Sequence, residues 1–334
     1  MKLDQETGIV ILNMGGPDSI EAVEPFLFNI FADPWMIRLP WFLKPFQKTL
    51  ARRISSKRGD EARHNYRTIG GESPLLRITG AQADQTAARL GCEGYVAMRY
   101  WKPFATDTAK LMRAEGMKRA VALSGYPQHS RSTCQSGIDD FLAAWVAAGG
   151  RREDVLTIQR WFDHPGYVKT IAATVREAID GMPAKDSHVL FSAHGLPVRY
   201  IRQGDTYKAE IERTLELVLK ELDTKIPCSL SFQSKVGPER WLEPSTPTAI
   251  NALADRGVKH LALVPLGFIA DNVETVQEID LQFGAIARQR KLIVYRAATP
   301  NDRPEFIQAL ADLVRERAGQ AGVPASAQES GGVA

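Results

Sequence analysis

Asp271, Glu274 and Glu278 stand at i, i+3 and i+7, and no basic residue follows until Arg288. On a helix that spacing stacks three carboxylates along one face. Crowded carboxylates raise one another's pKa or share a cation. The pattern therefore suggests proton or cation traffic. A solvated helix face is the plainer alternative, although such faces usually interleave lysines. His194 closes the apolar run Val189–Ser192 and opens the turn Gly195-Leu196-Pro197. There the backbone is fixed, and an imidazole with a pKa near neutrality suits proton acceptance in a cleft. The alternative is a histidine that only caps a sheet. A nitrogen donor opposite hard oxygen donors can also handle a divalent transition metal transiently. The other five histidines (His64, His129, His164, His188, His260) are not spaced as ligand pairs.

A third feature is apolar. Of the 21 positions from Phe26 to Phe46, fourteen are apolar and seven aromatic, with neither a helical stripe nor alternation. Local core is one reading; an exposed lip for a flat apolar ligand or a membrane surface is the other. The segment Lys48–Arg58 follows with five basic residues and no acids. Beside an apolar patch such charges hold ligand carboxylates or anionic headgroups; a solvated basic helix is the bland version.

Eight short apolar runs must position these groups: Gly8–Met14, Tyr95–Arg99, Ala120–Ser124, Val155–Arg160, His188–Ser192, Cys228–Phe232, His260–Pro265 and Leu292–Tyr295. Most are continuously apolar, as strands covered on both faces are. Amphipathic patterns lie between them, including Gln82–Leu90, Ala105–Glu115, Ile138–Ala148, Val168–Ile179, Lys208–Leu222 and Pro247–Asp255. The alternation predicts an α/β fold of two Rossmann-like domains, each a four-stranded parallel sheet flanked by helices. The first is expected over residues 1–164 with the apolar lip 26–46, the second over 165–303. A last helix, 304–318, should pack back on the first, and 319–334, rich in Gly, Ala and Ser, should be a disordered tail. Five of the eight strand exits carry distinctive residues, which points them at one cleft between the domains. No G-x-G-x-x-G and no P-loop supports a dinucleotide or ATP reading.

The 334 residues are 44% hydrophobic and 24% charged, with 42 basic against 39 acidic side chains. That balance argues against nucleic acid as a partner. Three cysteines without C-x-x-C spacing fit a reducing compartment rather than a disulfide scaffold. The polar start Met1–Glu6 is not expected to act as an export signal, and no stretch is long enough for a membrane span. A cytoplasmic protein, with a membrane surface still allowed, is the expectation.

At these residues the chain resembles the ferrochelatases, which insert ferrous iron into a porphyrin to make heme. The likeness runs from about Gly8 to Arg315 through seven ordered motifs: Leu12-Asn13-Met14-Gly15-Gly16-Pro17, Ile69-Gly70-Gly71-Glu72-Ser73-Pro74, Met98-Arg99-Tyr100, Tyr126-Pro127-Gln128, Phe191 to Pro197, Phe232 to Pro238, and Asp271 to Thr275. The resemblance implies that His194 and Glu274 form the metal-insertion pair. Asp271 and Glu278 would extend a proton or metal relay along a helix with a wide π-type turn. It further implies a porphyrin pocket bordered by Met14, Arg52, Arg53, Tyr66, Ser73, Arg99, Tyr100 and Trp241. Trp35, Leu39, Trp41 and Phe42 would form a lip touching porphyrin and membrane. Members holding a [2Fe–2S] cluster use cysteines in a C-terminal extension. The last cysteine here is Cys228, so no cluster and no permanently bound cofactor is expected. Met14 stands where the coproporphyrin III branch tends to carry tyrosine. The implied reaction is thus insertion of Fe2+ into protoporphyrin IX, with heme as product and the inner face of a membrane as a peripheral partner. The alternatives are a coproporphyrin III or other tetrapyrrole chelatase, or a non-catalytic tetrapyrrole or metal carrier.

Overall fold

Thr7–Asn13 is buried at every position, which only a central strand with layers on both faces allows. In the computed structural model, which describes residues 2–37 and 39–322, it is the first of eight parallel strands. These are β1 (Thr7–Asn13), β2 (Gly94–Met98), β3 (Arg119–Ser124), β4 (Val155–Ile158), β5 (Ser187–His194), β6 (Cys228–Gln233), β7 (His260–Leu266) and β8 (Ile293–Arg296). They form two four-stranded sheets of orders β2-β1-β3-β4 and β6-β5-β7-β8. The two halves are wired alike. In each, the first strand lies between the second and the third, so the order reverses there.

All eight expected strands exist, with ends shifted by one or two residues. The largest extension is β5, which runs on from Ser192 through Ala193 to His194. The expected helices are present too, and the pattern that begins at Gln82 starts earlier, as Leu75–Leu90. A 22-residue helix, Gln47–Thr68, carries no apolar periodicity to announce it. Its buried positions are Gln47, Ala51, Ser55, Gly59 and Tyr66. Small residues four apart let it lie close along Val23–Ala32.

One core cluster runs through both halves. It joins Ile9, Ile11 and Leu123 to Phe191 and Val264, and it takes in Phe306, Leu310 and Val314. Those last three belong to the helix Pro304–Gln320, which packs on Leu75–Leu90, Pro165–Ile179 and β4. This helix continues two residues into the expected tail; residues 323–334 lie outside the described residues.

The apolar stretch 26–46 divides. Phe26 and Ile30 are buried with Tyr100. Trp35 and Leu39 are half-buried. The 3-10 turn Trp41–Phe46 stands out, with Trp41 81%, Phe46 60% and Phe42 59% exposed.

Candidate active site

In parallel sheets, ligands bind where the strand order reverses, outside the carboxyl ends of the strands. His194 is the last residue of β5, and Glu274 opens a π-helical segment, Glu274–Phe283, that follows β7. These two strands are neighbours at the reversal in the second sheet. His194 Nδ1 and Glu274 Oε2 are 2.9 Å apart. Burial disfavours a charged imidazole, but the charge and hydrogen bond of Glu274, with Glu278 behind it, prevail and raise the His194 pKa above its ordinary value. The pair therefore holds a proton readily.

Both members are held by their backbones. The Tyr207 hydroxyl donates to the His194 carbonyl at 2.9 Å. Gln233 Nε2 donates to the Glu274 carbonyl at 3.0 Å. Gln233 Oε1 in turn accepts from Ser192 Oγ at 2.6 Å, and Ser192, Thr246 and Ser231 continue a buried hydroxyl chain beneath the pair. The Trp241 indole lies edge-on to the His194 ring, with centroids 6.4 Å apart.

Glu278 lies four residues along the π segment from Glu274. Ser234 Oγ meets its two carboxyl oxygens at 2.9 and 3.0 Å. Burial, then the charge of Glu274, push the Glu278 carboxyl up to about 7 against the lowering effect of Ser234. Such a group exchanges protons at neutral pH.

The third acid departs from expectation. Asp271 lies ahead of the helix, so the three carboxylates do not stack on one face. Its carboxylate accepts from Thr275 Oγ1 and Asn301 Nδ2, each at 2.8 Å, and from Thr299 Oγ1. Nor is the acidic run without a counter-ion. Arg296, from the end of β8, approaches Asp271 at 3.7 Å and also bonds Asp280. The strand that supplies this cation is remote in sequence, which is why spacing alone missed it.

The residues expected around the porphyrin take different places. Met14 leaves β1 and packs between the main core and the cluster Phe26, Ile30 and Tyr100. Ser73 sits on Gly16, where an added Cβ would come within 2.4 Å of its side chain, so only glycine fits. Tyr66 is buried and feels Glu274 from the long helix; burial first, then that charge, raise its phenol. Arg52 and Arg53 are exposed on the same helix, where with Thr49, Ser56 and Lys57 they line a shallow groove of about 540 Å³. Arg99 and Tyr100 are engaged internally. Arg99 reaches buried Asp33 at 2.9 Å, Ser136 at 2.9 Å and Asp140 at 3.5 Å, while the Tyr100 hydroxyl donates to Asp33 at 2.9 Å.

His194, Glu274, Glu278, Tyr66 and Trp241 thus converge. Tyr126, after β3, joins them: burial first, then neighbours that include Tyr100 and Glu274, raise its phenol, and it reaches the Met14 backbone. Tyr126 and the Gln233-Ser234 pair fell in strand-exit motifs without an assigned role. Tyr207 and Asp33 carried no signal at all. Among the described residues, no group of three or more His, Cys, Asp and Glu side chains is arranged to cage a metal ion.

The ferrochelatase family profile matches residues 6–318. The chain belongs to the ferrochelatase family. It is 42% identical over 320 residues to the ferrochelatase of Geobacter metallireducens, covering 94% of this chain and 99% of that one. It is likewise 42% identical over 323 residues to that of Gloeobacter violaceus, covering 94% and 98%. Among solved structures it is similar to the sirohydrochlorin chelatase SirB from Bacillus subtilis in complex with cobalt (TM-score 0.54, 10% identity, 96% and 97% covered). It is also similar to CbiX, the terminal enzyme of siroheme biosynthesis in denitrifying bacteria (TM-score 0.54, 13% identity, 92% and 98% covered). At those identities the structural likeness shows a shared chelatase fold alone. Family membership makes this chain a metal chelatase of heme biosynthesis, with iron and a porphyrin as substrates and heme as product.

Proposed function

We propose that the chain inserts Fe2+ into protoporphyrin IX, with His194 accepting a pyrrolic proton, Glu274 as its partner and Glu278 as the next proton station. The observation that carries this reading is the 2.9 Å His194–Glu274 pair at the strand reversal, backed by a carboxyl near neutrality. Metal entry requires the porphyrin to release two protons, since ligand deprotonation accompanies metal binding. The bond to Glu274 uses Nδ1 of His194 and leaves Nε2 for the macrocycle. A bent macrocycle exposes its nitrogen lone pairs, and contacts remote from the metal supply that strain. Asp271, enclosed by hydroxyl and amide donors, serves in this reading to position the start of the π segment.

The choice of macrocycle rests on the surroundings of Met14. They are apolar, and the nearby Arg99 is already paired with Asp33 and Asp140. Vinyl groups suit that seat better than two further carboxylates, which would need free cations. The test is anaerobic iron insertion followed by the porphyrin absorption bands, with protoporphyrin IX beside coproporphyrin III. Faster turnover of protoporphyrin IX is expected. Preference for coproporphyrin III would overturn the branch, and stoichiometric binding without turnover of either would favour a carrier.

No resident cluster enters this reading. Burial pushes the Cys92 thiol up to about 12 and the Cys228 thiol to about 11, and raises Cys134 as well.

In this reading the protein works in the cytoplasm and docks peripherally on a membrane. No helix among the described residues is long and apolar enough to cross one. Exposed Trp41, Phe42 and Phe46 stand just ahead of the helix that exposes Arg52, Arg53 and Lys57, so an insertable segment is followed by a cationic one. Replacing Trp41 and Phe42 with Ser is expected to weaken sedimentation with anionic vesicles by about tenfold or more, from about 1.5–3 kcal/mol per buried side chain. Unchanged vesicle binding together with an unchanged porphyrin KM would refute the lip.

Ser234→Ala tests the relay. The lost hydrogen bond had stabilised the charged Glu278, so the carboxyl should hold its proton to higher pH. A charge-assisted bond of about 1.5 kcal/mol moves the acidic limb of the kcat profile about one pH unit to the alkaline side. Turnover near neutrality should drop and recover on raising the pH. A superimposable profile would remove Glu278 from the proton path.

A further inference from the structure

Gln82 is wholly buried in the helix Leu75–Leu90 of the first half, yet both of its amide hydrogens leave that half. Nε2 donates to the carbonyl of Ile269 at 3.0 Å and to that of Asn301 at 2.8 Å. The amide's orientation is settled by this, because Oε1 facing two carbonyls would be repelled. Oε1 itself is buried with no partner among the described residues, a cost that calls for an explanation.

The two carbonyls flank the start of the acidic segment. Asn301 Nδ2 donates to Asp271 Oδ2 at 2.8 Å, and the Asp271 N–H donates to Asn301 Oδ1 at 2.9 Å. Asp271 then accepts from Thr275 Oγ1, the residue after Glu274. One turn earlier on Gln82's helix, Thr79 Oγ1 accepts from Asn13 Nδ2 at 3.3 Å, and Asn13 Oδ1 accepts from the Met14 N–H at 2.9 Å. Ser73, seated on Gly16, stands just before the same helix. A single rigid helix therefore grips Met14 through Thr79 and the loop before Glu274 through Gln82.

We infer that Gln82 is a positioning residue for metal insertion, setting the gap between the Met14 side of the cleft and Glu274 through Asn301 and Asp271. The inference rests on His194 and Glu274 being the insertion pair. Reacting groups displaced by about 1 Å can lose about a hundredfold in rate. Removing both donors changes that distance without touching any group that meets substrate.

The test is Gln82→Met, which keeps the volume and loses the donors. Anaerobic Fe2+ insertion is measured beside protoporphyrin IX affinity by fluorescence quenching and folding by near-ultraviolet circular dichroism. A fall in kcat of about tenfold or more is expected, with porphyrin affinity within about threefold and a native spectrum. Combined with Asn301→Ala, the loss should be no larger than that of the worse single variant, since both act along one path. A folded Gln82→Met with kcat within about twofold of the parent, or losses that multiply in the double variant, would overturn the inference. Should Gln82→Met fail to fold, Gln82→Glu keeps the size and, when protonated, one donor, and the same criteria apply. Active His194→Ala would sink the underlying reading; inactive His194→Ala beside fully active Gln82→Met would sink this inference alone.

Discussion

His194→Ala is expected to lower kcat for iron insertion by about 10²–10⁴-fold, the usual contribution of a positioned proton acceptor. The fold should survive the change. The His194 backbone is held by Tyr207 and by pairing with Gln233, neither of which needs the imidazole. Porphyrin affinity should therefore change little, which separates chemistry from binding in one fluorescence titration. Glu274→Gln should cost nearly as much, and the double variant hardly more, because the two side chains act as one unit. A His194→Ala protein that retains a tenth or more of parental turnover would remove the imidazole from the reaction.

Trp161→Ala is the largest stability loss expected. Trp161 is buried, stands edge-on to Tyr167 with centroids 5.2 Å apart, and lies 6.2 Å from Phe306. Its Nε1 donates to the Ser124 carbonyl at 3.0 Å, at the exit of β3. Truncation removes the ring that joins the end of the first half to the C-terminal helix and leaves that carbonyl without its donor. Such truncations cost about 3–5 kcal/mol, a large part of the roughly 5–15 kcal/mol that holds an ordinary protein together. For a chain of this length, calorimetry should show a melting temperature lower by about 4–7 °C. An unchanged melting temperature would mean that the junction contributes little.

The sequence announced what burial writes into it. Strands covered on both faces are mostly apolar, so the runs Gly8–Met14 and His188–Ser192 made Thr7–Asn13 and Ser187–His194 legible to within two residues, and with them the two-sheet architecture. His194 and Glu274 were legible as types at strand exits, and the structure brings them together at 2.9 Å. What stayed hidden depends on partners distant in the chain. Arg99 looks like a free cation until Asp33, Ser136 and Asp140 close around it. Asp271 looks like a third rung until Thr299 and Asn301 enclose it. The Gln47–Thr68 helix buries Ala51, Ser55 and Gly59, whose small size marks close packing rather than hydrophobicity, so no periodic signal survives. Ser234 shows the same limit: a left-handed backbone, φ 62°, aims its hydroxyl at Glu278, and no motif encodes that angle.

The repeated strand order has a consequence for how such a protein can change. Met14, Ser73 and the projecting turn Trp41–Phe46 belong to the first sheet's half; His194, Glu274 and Glu278 belong to the second. The two halves are built on one plan around a shared core, with bonds such as those of Gln82 crossing between them. In the proposed reading, the first half's surface can be recut for a differently decorated ring while the second keeps its His194–Glu274 wiring. Equally, the second can be tuned toward another ion with the ring's berth intact. Duplicated topology thus lets one site draw its groups from two surfaces of like plan that share a core.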